Sequence, residues 1–152
     1  MTRGELAEKY FVDGYNCCQS AVLAFSDLTD LDKSTLLKLS SSFGGGFGRL
    51  REVCGAFSGI CIIAGLLKGY DRENGVSKME HYALVQRLGA AFKEANGSLI
   101  CRELTSKTTN LSSPDPAVRT EEYMQKRPCK EICKNAADIL VKELNLKDEA
   151  NI

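Results

Sequence analysis

Apolar residues recur every three or four positions along most of this chain, and the two-residue alternation of a half-buried strand is missing. The pattern predicts an all-α, single-domain bundle of about six helices. Thr2 can cap a first helix over Arg3 to Val12, with Gly14 beyond its end. Asn16 caps a second over CCQSAVLAFSDL, and Asp32 a third over STLLKLSSSF. Phe43 to Arg49, FGGGFGR, reads as a tight loop because so many glycines destabilise any helix. A central apolar helix follows over Val53 to Lys68, closed by Gly69. Ser77 opens KMEHYALVQRLGAAFKEA, where Tyr82, Val85, Leu88 and Phe92 form one stripe predicted to be buried. Ser98 opens the short LICREL, and a polar loop TSKTTNLSSPDP leads to helix from Ala117. Pro128 suits the first turn of the last helix, PCKEICKNAADILVKEL, with Ile132, Ala136, Ile139, Leu140 and Leu144 on one face. The core runs over about 3–144. The tail 145–152 is expected to fray.

Composition narrows the function classes. The 152 residues fit one domain, and 43% hydrophobic with 26% charged residues suits a packed core. Twenty basic and twenty acidic side chains cancel, so nothing calls for a nucleic-acid partner. The most apolar run, Val53 to Leu67, is too short for a membrane span and holds three glycines, which argues against membrane insertion. The start, MTRGELAEKYF, is charged and has no apolar signal core, so a cytoplasmic location is expected.

Seven cysteines then stand out, since a reducing compartment keeps thiols free, metal-bound or transiently paired. No Cys-x-x-Cys is present, and with His81 the sole histidine a Cys/His zinc site is unnatural. Four cysteines fall at predicted helix starts: Cys17 after Asn16, Cys54 at the apolar helix, Cys101 after Ser98 and Cys129 after Pro128. Unpaired amides and the helix dipole favour a thiolate there. Arg49 and Arg51 precede Cys54, Arg102 follows Cys101, and Lys126, Arg127 and Lys130 surround Cys129. Cys54 is therefore the expected nucleophile and the most reactive thiol. The competing reading is that free cysteine packs like a small apolar residue. It suits Cys61 and Cys133, which sit on apolar faces, while Cys18 fits either reading.

Gly44, Gly45, Gly46 and Gly48, with Arg49, are candidates for a backbone nest around an anionic cofactor. The loop has neither the Walker spacing nor a preceding strand, and the alternative is a sharp turn that brings backbone close to side chains. Gly55 and Gly59 make a small-x-x-x-small face for another helix, within the subunit or across a homodimer.

The ordered set Gly14-Tyr15-Asn16-Cys17-Cys18-Gln19-Ser20, then Gly-Gly-Gly-Phe-Gly-Arg over 44–49, then Cys54-Gly55-Ala56-Phe57-Ser58-Gly59, then single cysteines at Cys101 and Cys129, resembles the C_GCAxxG_C_C family of redox-active proteins. The resemblance covers about Tyr10 to Leu144. It implies that Cys17, Cys54, Cys101 and Cys129 are the characteristic cysteines, with Cys133 the rival to Cys129, and that Cys18, Cys61 and Cys133 are extras. It also implies a redox role, and similar sequences joined to haem and iron–sulfur modules make an iron–sulfur cluster or another thiolate-bound metal on the same four cysteines a second reading. The first reading is thiol/disulfide exchange by a thiol-dependent oxidoreductase, with a redox partner that the residues do not name. A third is a helical ligand-binding or dimerising protein with mostly buried cysteines.

Overall fold

The computed structural model of the chain describes residues 1–105, 119–121, 123 and 127–152. Among these residues there are seven α-helices of regular backbone, a distorted helical turn over Gly44–Phe47 and no strand. They are α1 (Arg3–Val12), α2 (Cys17–Leu23), α3 (Lys33–Ser40), α4 (Gly55–Lys68), α5 (Lys78–Asn96), the short α6 (Cys101–Leu104) and α7 (Cys129–Leu144). Most of the polar loop expected over 105–116, and much of the helix expected from Ala117, lie outside the described residues, as does Lys126.

The caps are local chemistry. Thr2 and Asn16 each accept from the amide three residues on, and Glu5 and Gln19 return the bond, closing two capping boxes. Asp32 and Ser77 cap α3 and α5 through the amides of Thr35 and Glu80. Several helices end or begin off the expected place. α2 stops at Leu23 and continues as a 3-10 turn over Ser26–Leu28, and α3 gives way to another over Ser41–Phe43. α4 begins at Gly55 with Cys54 as its N-cap.

α2 is central, packing on α1, α3, α4 and α7, while α7 lies along α1 and also meets α4 and α5. Between them Val22, Phe25, Ile60, Ile63, Leu88, Phe92, Cys133 and Leu140 are fully buried. The close crossing of α2 and α4 requires glycine. A Cβ on Gly59 would sit 2.8 Å from Ala21 Cβ and 2.9 Å from Cys18 O. The small-residue face is thus filled by α2 inside the chain. On α5 the buried stripe is Leu84, Leu88, Gly89 and Phe92. Tyr82, expected to be buried, is 53% exposed, with its hydroxyl against that of Tyr70.

Two findings were not expected. The tail does not fray: Arg3 N donates to Asp148 O at 2.9 Å, and Asn151 N donates to Asp27 Oδ2 at 3.1 Å. Arg3 explains this order. Its side chain is buried, and its guanidinium donates to Lys147 O, Ala24 O and both oxygens of Asp27. One side chain therefore ties α1 to the end of α2, the following turn and the tail. A buried guanidinium is tolerated only with this degree of pairing.

Candidate thiol site

Residues 51–54 and 99–102 run antiparallel for one step. Cys54 N donates to Leu99 O at 2.8 Å, Cys101 N to Glu52 O at 2.6 Å and Arg102 N to Arg51 O at 3.2 Å. This pairing sets the starts of α4 and α6 side by side. α2 reaches the same point because Gly55 has no side chain, since a Cβ there would stand 2.4 Å from Cys17 Sγ. The start of α7 closes the ring. Cys17, Cys54, Cys101 and Cys129 consequently line one cavity of about 80 Å³, with Asn16, Gly45, Gly55 and Arg51 among its other walls. Cys17, Cys101 and Cys129 are each the first residue of their helix, and Cys54 is the residue before one.

The remaining cysteines stand apart from the cavity lining. Cys18 and Cys133 are fully buried in the core, and Cys61 is half-buried on α4. Cys133 sits one turn beyond Cys129, and its Sγ is 3.8 Å from Cys17 O. It is Cys129, not Cys133, that faces the cavity.

The glycine loop has an unusual backbone. Gly45, Gly46, Phe47, Gly48 and Arg49 all have φ between +57° and +70°, and Arg51 has φ +62°. This is a left-handed turn, closed by Arg51 N donating to Gly45 O and Glu52 N to Gly46 O. Each non-glycine residue held there costs roughly 1–2 kcal/mol. The turn brings backbone against the cysteines. The Gly45 backbone lies close enough to Cys17 to favour negative charge on its sulfur, and a Cβ on Gly46 would meet Cys101 Cβ at 2.7 Å. Gly44 is packed just as closely on Asn16. Of the residues expected to form a nest, Gly45 lines the cavity, whereas Gly44, Gly46 and Arg49 do not.

The basic residue that matters is Arg51. It is 4% exposed, lines the cavity, and donates through Nη1 to Cys101 Sγ at 3.6 Å. Its Nε is buried and has no hydrogen-bond partner among the described residues. Arg51 was expected beside Cys54, and only the antiparallel pairing with 99–102 turns it to Cys101.

The electrostatics of Cys54 reverse the sequence expectation. Burial holds its thiol well above the ordinary range, and the nearby Cys17 adds to this. The first-turn amides of Ala56 and Phe57 pull the other way and lose. Burial likewise raises Cys17 against the Gly45 amide, and raises Cys129 to about 12 despite Arg127 and Arg51. The helix dipole, worth about 0.3–1 kcal/mol at exposed positions, is smaller than the desolvation of a buried thiolate.

All seven cysteines are free thiols. A metal or iron–sulfur site on Cys17, Cys54, Cys101 and Cys129 needs sulfurs converging on one point. Among the described residues, no group of three or more His, Cys, Asp or Glu side chains is gathered in that way. The four thiols surround a space; they do not form a ligand cage.

A bundle of capped helices whose starts surround one space with thiols defines a helical cysteine-site protein. The chain belongs to the family described as "Putative redox-active protein (C_GCAxxG_C_C)", whose model matches residues 15–143. No curated protein and no solved structure matches it. Among the described residues no helix is long and apolar enough to cross a membrane.

Proposed function

We propose that the protein is a dithiol/disulfide oxidoreductase whose working pair is Cys101 and Cys17. The observation that carries this reading is that four helix-start cysteines from distant parts of the chain line a single cavity. Cys101 is the attacking sulfur, because Arg51 donates to it and supports the negative charge that an attacking sulfur carries and then shares with the leaving sulfur. Cys17 is the resolving sulfur because it sits among the others: charge on it opposes ionisation of Cys54, Cys129 and Cys133.

In this cycle Cys101 attacks a substrate disulfide, forms a mixed disulfide and expels one thiolate. Cys17 attacks the Cys101 sulfur and expels the second. Two electrons pass from the protein dithiol to the substrate, and the two thiol protons end on the two leaving thiols. A cellular dithiol reductant restores the pair by the reverse exchange.

The experiment is peptide mapping after oxidation of the reduced protein with one equivalent of a small disulfide. A Cys17–Cys101 cross-linked peptide is expected, lost in Cys101→Ser and retained in Cys61→Ser. Cross-links confined to other cysteines, or formed only between molecules, would overturn the pairing.

A further inference from the structure

We propose that the cavity selects anionic disulfides, with Arg51 as the residue that determines this specificity. The proposal rests on the dithiol reading above and adds the substrate class.

Three guanidinium side chains, those of Arg51, Arg119 and Arg127, line the cavity. Among its described lining residues there is no aspartate or glutamate. The chain as a whole carries no net charge, so this excess is local. The three arginines differ in what they already hold. Arg119 donates to Phe11 O and to Tyr15 O and stacks over the Phe11 ring. Arg127 lies over the Tyr123 ring, 4.7 Å from its centroid. Arg51 has a thiol for its hydrogen-bond partner, and its Nε has none among the described residues.

A guanidinium left at 4% exposure without a carboxylate among the described residues is costly unless an anion completes it. The left-handed backbone at Arg51 adds to that cost and aims the side chain inward. Oxyanion groups that present two oxygens on one atom, planar in a carboxylate and tetrahedral in a sulfonate, match a guanidinium in two-point contact. A space of about 80 Å³ has room for one such group, of a few heavy atoms, beside the sulfurs. A substrate whose charged end is a sulfonate or carboxylate would seat that end on Arg51 and present its S–S bond to Cys101.

Tetrathionate is a suitable probe because it is a dianion with a central S–S bond. Cys101 attacks a central sulfur and expels thiosulfate. Cys17 then attacks the Cys101 sulfur and expels a second thiosulfate, leaving the Cys17–Cys101 disulfide. Two protons are released, and two electrons have passed to tetrathionate. Cystamine, a cationic disulfide, is the counter-probe.

The measurement is the rate of intramolecular disulfide formation in the reduced full-length protein with each probe. The ratio of rates is divided by the same ratio for a small neutral dithiol. A corrected preference for tetrathionate of roughly tenfold or more is expected, the scale of one charge-assisted contact. Sodium sulfate, against sodium chloride at equal ionic strength, should slow tetrathionate and not cystamine. Arg51→Gln should abolish the preference, and Arg127→Gln, at a less buried position, should reduce it. Arg87→Gln, on an exposed face of α5, should leave it unchanged. A corrected ratio near one in the native protein overturns the anion proposal while the dithiol reading stands. Failure of both probes to form the internal disulfide overturns both.

Discussion

The four cavity cysteines share one local motif, a position at a helix start, yet their environments differ. Cys129 shows what burial does to a thiol that also has two guanidinium charges nearby: it rises to about 12 rather than falling. Cys61, half-buried in α4 with no such neighbours, reaches the same range by desolvation alone. The expected outcome is direct. Alkylation of Cys129 and Cys61 in reduced native protein should increase about tenfold per pH unit between pH 7 and 10, with no plateau near the ordinary thiol range of about 8.5. Peptide mass spectrometry of time points at each pH reads this for every cysteine at once. A plateau for Cys129 below pH 9 would show that Arg51 and Arg127 outweigh burial there. Helix-start geometry is legible in sequence because caps are local: Asn16 before Cys17 is a signal written within four residues. Burial is not legible in this way. Whether Cys54 lies open beside Arg49 and Arg51 or is sealed depends on Leu99 and Ile100, which arrive from far along the chain.

At the scale of elements, close approach and buried charge decide the architecture. α4 carries a built-in comparison. A Cβ on Gly59 would collide with α2, while one on Gly65 would meet nothing within 4 Å. Gly65→Ala should therefore stabilise the protein by roughly 0.5–1 kcal/mol, the helix-propensity gain. Gly59→Ala gains the same propensity but should lose about 1–3 kcal/mol to overpacking. Urea midpoints of the two variants check this, and equal shifts would mean that α2 and α4 are not in contact at Gly59. The Arg3–Asp27 pair gives a second test. Arg3 holds the Asp27 carboxyl below the usual range, so the stability it contributes is present above about pH 4 and is lost as pH falls through the lowered value. Asp27→Asn should flatten the acid side of a stability–pH curve, and Arg3→Met should cost about 3–5 kcal/mol at neutral pH by removing the cation from Asp27, which keeps only the Asn151 amide, and the donor from Lys147 O and Ala24 O. The helices themselves were readable from periodicity. The stitch between α1 and the tail was not, because an arginine in a first turn reads as surface, and only the returning chain at Lys147 and Asp148 buries it. The exposed Tyr82 is the same lesson reversed: its spacing fits the buried stripe of α5, but Leu84 takes that place.

The whole molecule combines these thiols into one pH response. Folding buries most of the seven cysteines, and burial raises Cys17, Cys18, Cys54, Cys61, Cys129 and Cys133. In the unfolded chain the same thiols ionise near 8.5. Below that pH both states hold the protons and the thiols contribute nothing to the slope. Above it the unfolded chain releases protons that the folded protein keeps, so stability falls as pH rises until the folded values are reached. For Cys61 and Cys129 that window runs from about pH 8.5 to about 12. Each thiol in its window removes about 1.4 kcal/mol per pH unit. Several together would consume the ordinary 5–15 kcal/mol of a domain within a few pH units. The expected result is a steep loss of the urea midpoint between pH 8 and 10 in reducing buffer. Cys61→Ala should make that slope shallower by one thiol's share, although it removes no residue from the cavity. Oxidation to the Cys17–Cys101 disulfide should also make it shallower, because the Cys17 sulfur then carries no proton. A midpoint that is flat from pH 8 to 10 in the reduced protein would mean that the thiols are hydrated in the folded state, and the account of burial as the force that raises them would fall with that result.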